Sequence, residues 1–535
     1  MASDRCGAIV FSFYFWLAFH AYGFDWNVSE LLSEVISTTT DRGWLRPYFS
    51  YFYNGGVYLF HDPQSFVTSP LLRVFTLLTG PVAGPHWLAV AYGMIGYTST
   101  YVWFRSRFSA LASVFGALAF SLSLGMFWRV VAGHMLFLLE MSFPFFLWVI
   151  DRIETSRAAR DRAFWAVILA IGAAWIVYEP GFHALFYFII PGLIFDFLFR
   201  VFANRRAMTR TLPCLGAAIF ATALMILPKL FAWHALKMSR SPDPTDGVLA
   251  AKDVLLALFV TARASVSGVL VPGSNPERWH FIFEVNTALM PIASLLAFVG
   301  LFFGIRRQWY REKNFRLALL CILFGALVAG NATVWKAIQA ATSGGFRVPS
   351  RYLALPAFGL AILSVYGAEG VLDRFARYGR RIVGAALVLL LFFAGNWLVR
   401  ARDAGTLRVE AIRSWSKGPE APRFVLGKYC PVASGCLNTY EVGAYAADPY
   451  IRYLTEHGIA EETLGRSIPK SATIDPECVI IGPLKSSEVI DLPLRFASYG
   501  HEGLSVGRGS SDIRGGGPSS GGGPSSGGGK FDSRC

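Results

Sequence analysis

Charge is what this sequence has least of. Asp, Glu, Lys and Arg make up 16% of its 535 residues, where soluble domains carry roughly a quarter. That scarcity excludes an ordinary soluble body as the bulk of the chain. Cysteine is sparse too. There are seven, and none falls in the Cys/His spacing that holds zinc. No small-residue cleavage site follows the first apolar stretch, so that stretch reads as a retained anchor and not a removed signal. The apolar part shows no internal repeat.

What is present is apolar length. Hydrophobic residues make up 54% of the chain and mean hydropathy is +0.44. About eleven stretches approach the roughly 20 residues needed to cross a bilayer. They lie at 7–24, 87–104, 108–127, 134–150, 164–178, 182–199, 211–228, 283–305, 316–331, 352–370 and 382–399. The fold class expected is a polytopic α-helical membrane protein over residues 1–402, with a long first outer loop at 25–86.

The cations give the orientation. Arg105 and Arg107 occupy one connection, and Arg152, Arg157, Arg160 and Arg162 the next of that set. Arg200, Arg205, Arg206 and Arg210 follow, then Arg306, Arg307, Arg311 and Lys313. Arg374, Arg377, Arg380 and Arg381 close the series. Short loops rich in Lys and Arg stay in the cytoplasm. The N-terminus is then inside, and residues after Val399 are outside. A net charge of +14 is explained by these loops, so no nucleic-acid partner is expected.

Beyond the last span the composition changes. Residues 403–508 are of mixed polarity, with strand-like runs at 423–425, 478–481 and 494–497, and read as a small α/β domain on the outer face. Residues 509–535 repeat Gly, Pro and Ser and are expected to form no core. Cys430 and Cys436 lie close enough in sequence for an outer disulfide, with Cys478 as the competing partner. Two sequons, at Asn27 and Asn331, read as incidental.

The ionisable residues that could do chemistry gather in the other set of loops. Asp25 and Asn27 follow the first span. His61, Asp62 and Gln64 lie in the long loop. Arg129 and His134 precede a span that contains Glu140. Glu179 and His183 flank a Pro-Gly turn. Lys229 ends one span, Glu284 begins another, and Arg347 and Arg351 lead into the tenth. A carboxylate within a span is costly, so Glu140 is expected to face a cavity or a partner. Glu179 and His183 are close enough in sequence to pair with each other, and border aromatics serve mainly as interfacial anchors.

In order and topology these motifs resemble the GT-C superfamily of membrane glycosyltransferases over residues 1–400, nearest to a bacterial envelope-glycosylation branch. The resemblance rests on Asp25 and the long loop, Asn54-Gly-Gly56 with Asp62-Pro-Gln-Ser65, Ala132-Gly-His134 and Arg347-Val-Pro-Ser-Arg-Tyr352. It implies a polyprenyl-phosphate sugar donor and an envelope lipid, glycan or protein acceptor. It implies Asp25 as the catalytic base. The family often has a second carboxylate where this chain has Asn27, so the chain is expected to work without a metal cofactor, by an inverting displacement. Arg347 or Arg351, with Lys229, would hold the phosphate. Glu179, His183 and His134 would line the sugar pocket or orient the acceptor. The implied location is the bacterial inner membrane.

Two other classes fit the same composition. A transporter or flippase for a lipid-linked or anionic substrate would depend on Glu140, and would tend to show repeated halves. A non-catalytic envelope scaffold would depend on residues 403–508.

Overall fold

In a computed structural model, the protein is described at residues 2–21, 49–50, 57–58, 66–132, 135–179, 181–203, 205–235, 248–249, 251–259, 289–342, 348–375, 377–417, 424–426, 479–480, 497–499 and 507–508. It forms two compact units. The first comprises Met1–Gly23, Ser69–Leu72 and His86–Leu407; the second comprises Phe24–Thr68, Arg73–Pro85 and Arg408–Cys535.

Fourteen α-helices are described. They are α1 (Ala2–Ala21), α2 (Pro70–Arg105), α3 (Ala110–Ser121), α4 (Leu124–Ala132), α5 (Phe143–Thr155), α6 (Ala159–Tyr178) and α7 (Ile190–Ala203). Then come α8 (Arg205–Ala235), α9 (Ala251–Phe259), α10 (Pro291–Arg306), α11 (Lys313–Gly330), α12 (Ala332–Ala341), α13 (Ala354–Arg374) and α14 (Gly379–Lys417). Local chemistry sets their starts. Ser69 caps α2 by accepting from the Leu72 amide at 3.0 Å, with Pro70 in the first turn where its missing N–H costs nothing. Asn331, the sequon residue, caps α12 through the Thr333 and Val334 amides.

The core of the first unit is built on α13, which is buried along nearly its whole length. Its small residues allow that. A Cβ placed on Gly367 would lie 2.0 Å from the Leu296 carbonyl oxygen of α10, and one on Gly300 would lie 1.9 Å from the Leu363 carbonyl oxygen of α13. The two backbones therefore touch at both glycines, a mode of packing common where lipid, and not water, surrounds a bundle. At the other extreme, α8 turns Ile219, Phe220, Leu224 and Phe231 outward.

Six helices are long and apolar enough to cross a membrane: Ala159–Tyr178, Ala184–Phe202, Met208–Phe231, Lys313–Gly330, Pro349–Arg374 and Gly379–Val399. The pair Ala110–Ser121 and Leu124–Val130, bent by 45°, passes the same test only when its two helices are taken as one span. The chain is thus a multi-pass helical membrane protein, but among the described residues fewer than the eleven expected stretches meet that test. The first has an apolar helix only over Cys6–Phe19, and the eighth only over Pro291–Arg306. The stretch 87–104 lies inside α2, diluted by tyrosine and hydroxyl residues. The stretch 134–150 is not one α-helix. It begins as a 3-10 helix, Met135–Ser142, and becomes α-helical only at Phe143.

The second unit contributes short antiparallel strands. β1 (Phe49–Ser50) pairs with β2 (Val57–Tyr58). β3 (Phe424–Leu426) pairs with β5 (Ala497–Tyr499), and β4 (Val479–Ile480) with β6 (Gly507–Arg508). β3 and β4 overlap the runs expected at 423–425 and 478–481, and β5 meets the run at 494–497 only at Ala497. The remainder of 418–535, including Cys430, Cys436 and Cys478, lies outside the described residues.

Candidate active site

Three breaks in α-helical geometry converge in the first unit. Met135–Ser142 is a 3-10 helix of eight residues, Ala184–Ile189 is a π-helical turn, and Pro349–Leu353 is a second 3-10 helix. The first packs against the second, and the second against the third. A 3-10 run longer than about four residues is uncommon, and π turns occur often at functional sites. Proline has a part in two of the boundaries and glycine in the third. Pro144 stands in the first turn of α5, and Pro349 opens the third break. Before the π turn stands Gly181, where a Cβ would lie 2.5 Å from Ile176 Cγ2 and 2.6 Å from the Ile176 carbonyl oxygen. Only glycine admits so tight a turn there.

Each break carries an ionisable side chain, and Phe137 lies among them. The Arg129 guanidinium lies 3.9 Å from the centre of the Phe137 ring, and the Arg351 guanidinium 5.0 Å from it. The His183 imidazole stacks on the same ring at 5.0 Å and 16°. Arg351 Nη1 donates to His183 Nε2 at 3.1 Å. Because arginine only donates, Nε2 must offer its lone pair, and His183 is the neutral tautomer with its proton on Nδ1. Tyr187 borders the group, 5.6 Å from His183 and 5.1 Å from Tyr352. Arg129 is buried, whereas Arg351 is half-buried.

Glu140 lies in the first break, 1% exposed. Arg129 and Arg351 both act on its carboxyl electrostatically. Its Oε1 has no hydrogen-bond partner among the described residues. Buried polar atoms are nearly always hydrogen-bonded, so such an atom marks a strained site, an ordered water or a ligand position.

Arg129, Glu140, His183 and Arg351 are therefore brought together from distant parts of the sequence. Glu179 has other partners. It is fully buried and accepts hydrogen bonds from Ser69 Oγ, from Tyr92 OH at 2.5 Å, from the Leu71 amide at 2.9 Å and from Trp175 Nε1 at 3.1 Å. Burial raises its carboxyl above the ordinary range, against the pull of these four donors. It ties the start of α2 to the end of α6. The sequence allowed Glu179 and His183 to pair; instead each binds elsewhere. Lys229 is buried in α8. Asp25, Asn27, His61, Asp62, Gln64, His134, Glu284 and Arg347 lie outside the described residues. Among the described residues, no group of three or more His, Cys, Asp or Glu is placed to hold a metal ion.

A second charged cluster joins the opposite ends of the same helices. Arg200 of α7 is 1% exposed and binds Asp196, Glu154 and, at 2.7 Å, Asp151. Lys313 reaches Asp151 at 3.0 Å and Asp196 at 3.1 Å. Arg107 also pairs with Asp151, and Trp103 Nε1 donates to it at 3.2 Å. Burial alone would raise the Asp151 carboxyl, but Lys313, Arg200 and Arg107 hold it well below the usual carboxylate range. Nearby, Arg307 binds Asp373 at 2.7 Å. These contacts link all five arginine-rich connections. Sequence analysis missed Asp196 and Phe137. The spacing of Asp196 and Arg200, four apart on one helix, was the available sign of the first; Phe137 gave none.

No protein-family profile matches the chain, and no curated protein sequence does. Among solved structures it is similar to the apo crystal structure of an Archaeoglobus fulgidus oligosaccharyltransferase, with 14% identity over 78% of this chain and a TM-score of 0.43. The match spans 58% of that structure's length. A likeness of that size assigns neither a family nor a chemistry.

Proposed function

We propose that the chain is a membrane glycosyltransferase that takes a sugar from a polyprenyl-phosphate donor. The observation that carries the reading is the pair of guanidiniums, Arg129 and Arg351, beside one aromatic ring, with Arg351 half-buried and held by His183. A half-buried arginine fixed by an imidazole suits a phosphate, which its planar fork can bind through two hydrogen bonds.

The reaction is a displacement. An acceptor hydroxyl oxygen attacks the anomeric carbon, and the bond from that carbon to the phosphate oxygen breaks. Asp25 takes the hydroxyl proton, a role that rests on the GT-C resemblance. Arg351 and Arg129 stabilise the charge that grows on the departing phosphate. Asn27 orients a sugar hydroxyl, and no metal takes part. Lys229 and Arg347 add positive charge for the phosphate. His61, Asp62, Gln64, His134, Glu179 and Glu284 belong to the walls of the sugar and acceptor sites. Residues 403–508 present the acceptor, an envelope glycan, lipid or protein, on the outer face of a bacterial inner membrane, with the arginine-rich connections in the cytoplasm.

The test is sugar transfer by purified protein in nanodiscs, from radiolabelled polyprenyl-phosphate sugars to envelope-lipid acceptors, comparing wild type with Asp25→Asn. Transfer that disappears in the folded variant supports both enzyme and base. Transfer by both forms keeps the enzyme and removes Asp25 as base. A folded wild type that transfers nothing from the donor panel counts against the reading.

A further inference from the structure

We infer that Glu140 recognises a sugar hydroxyl: its Oε1 accepts a hydrogen bond from the sugar whose phosphate rests on Arg351 and Arg129. This deepens the transferase reading and takes its ligand class from it. Three observations carry it. Glu140 is 1% exposed, and its Oε1 has no hydrogen-bond partner among the described residues. It lies in a long 3-10 segment that departs from α-helix where the functional side chains meet. The charged groups that act on it are the two guanidiniums that flank Phe137.

The chemistry of the missing partner follows from its surroundings. In its carboxylate form, which the two guanidiniums favour, Oε1 accepts and cannot donate, so its partner brings an O–H or N–H. Two neighbouring guanidiniums disfavour a cationic partner such as an ammonium or a metal ion. A neutral hydroxyl satisfies the acceptor without adding charge. A phosphodiester can then rest on the arginines while a hydroxyl of the attached sugar reaches Oε1. A site that holds a hydroxyl in this way discriminates strongly against a ligand that lacks it, because the buried acceptor is then left bare.

The probes are polyprenyl-phosphate glucose, mannose and galactose, with methyl polyprenyl phosphate as control. The control keeps the charge of the phosphodiester and has no sugar hydroxyl. Binding of each is measured on the full chain in nanodiscs, for wild type, Glu140→Leu and the isosteric Glu140→Gln. Wild type should bind at least one sugar ester about tenfold or more tightly than the methyl ester, as a hydrogen bond to a charged group predicts. Glu140→Leu should bind both alike; losing a carboxyl beside the arginines shifts the affinity for both esters together, so the readout is the ratio of sugar ester to methyl ester. Glu140→Gln keeps an acceptor oxygen, folds with the same shape, and should lose only part of the preference.

A variant weakened equally for sugar and methyl esters would mean that Glu140 acts only on the arginines, and the inference falls. It falls also if both variants keep the full preference, or if wild type prefers no sugar ester. A sugar preference that depends on Glu140, in a protein that transfers nothing, would leave this inference standing and sink the transferase reading. Transfer without that dependence would do the reverse.

Discussion

The two ends of the helical body treat charge in opposite ways. α5, α7 and α13 each carry a member of one cluster just before the N-terminus, namely Glu140, His183 and Arg351. Each carries an ion-paired residue near its C-terminus: Asp151 and Arg200 of the second cluster, and Asp373, which pairs with Arg307. At the C-terminal ends, cations meet carboxylates directly; Arg200 alone contacts three. At the N-terminal ends, cations meet aromatic rings and an imidazole, and Glu140 Oε1 has no hydrogen-bond partner among the described residues. Full pairing spends the charge on holding helices together. At the other end the described contacts are to rings and an imidazole, which orient a guanidinium without neutralising it.

The strongest way to break this contrast is at Arg200. Arg200→Met leaves Asp151, Glu154 and Asp196 without their shared guanidinium, and should cost about 3–5 kcal/mol of stability. Thermal unfolding in detergent would show it as a large fall in midpoint or as loss of folded protein. Arg351→Ala should do the opposite. Transfer kcat/KM should fall about 100-fold, as for loss of one charge-stabilising donor, while the unfolding midpoint stays near wild type. If Arg351→Ala unfolds the protein and Arg200→Met does not, the contrast is wrong.

Acid should distinguish the ends further. The Asp151 carboxyl is depressed in the folded protein, so its contribution is fully present above about pH 4, the unfolded value, and is lost as pH falls toward the folded one. The unfolding midpoint of wild type should therefore drop on acidification below about pH 4 more steeply than that of Asp151→Asn. A parallel fall would remove Asp151 from the account. The smallest effect should come from Arg107, whose side chain is 26% exposed. Arg107→Ala should shift stability by about 1 kcal/mol or less, since solvent already screens its pair with Asp151.

Much of this was legible in the sequence. Apolar length and alternating arginine located six crossing helices and grouped the five basic connections. Arg129, Glu140, His183 and Arg351 stood out as polar residues at or within apolar segments. Their convergence did not, because it depends on 3-10 and π geometry that hydropathy does not record. A period-based reading made 134–150 one helix, whereas eight residues of 3-10 winding place Glu140 on a different face from the one an α-helix would give it. The arginines read as topology signals also turned out to have a second use. Arg200 and Lys313 are bound by Asp196, a carboxylate hidden in an apolar run whose overall hydropathy conceals it.

The glycine contacts between α10 and α13 have a mechanical consequence. Where carbonyl oxygens nearly touch glycine Cα atoms at two levels, sliding or rolling either helix would drive a peptide group into a wall. That pair is the stator of the molecule. Arg351, on the winding that feeds α13, is joined directly to that pair and shares its rigidity. Movement within the bundle must then be taken up away from this pair, by helices such as α8 that turn Ile219, Phe220, Leu224 and Phe231 outward.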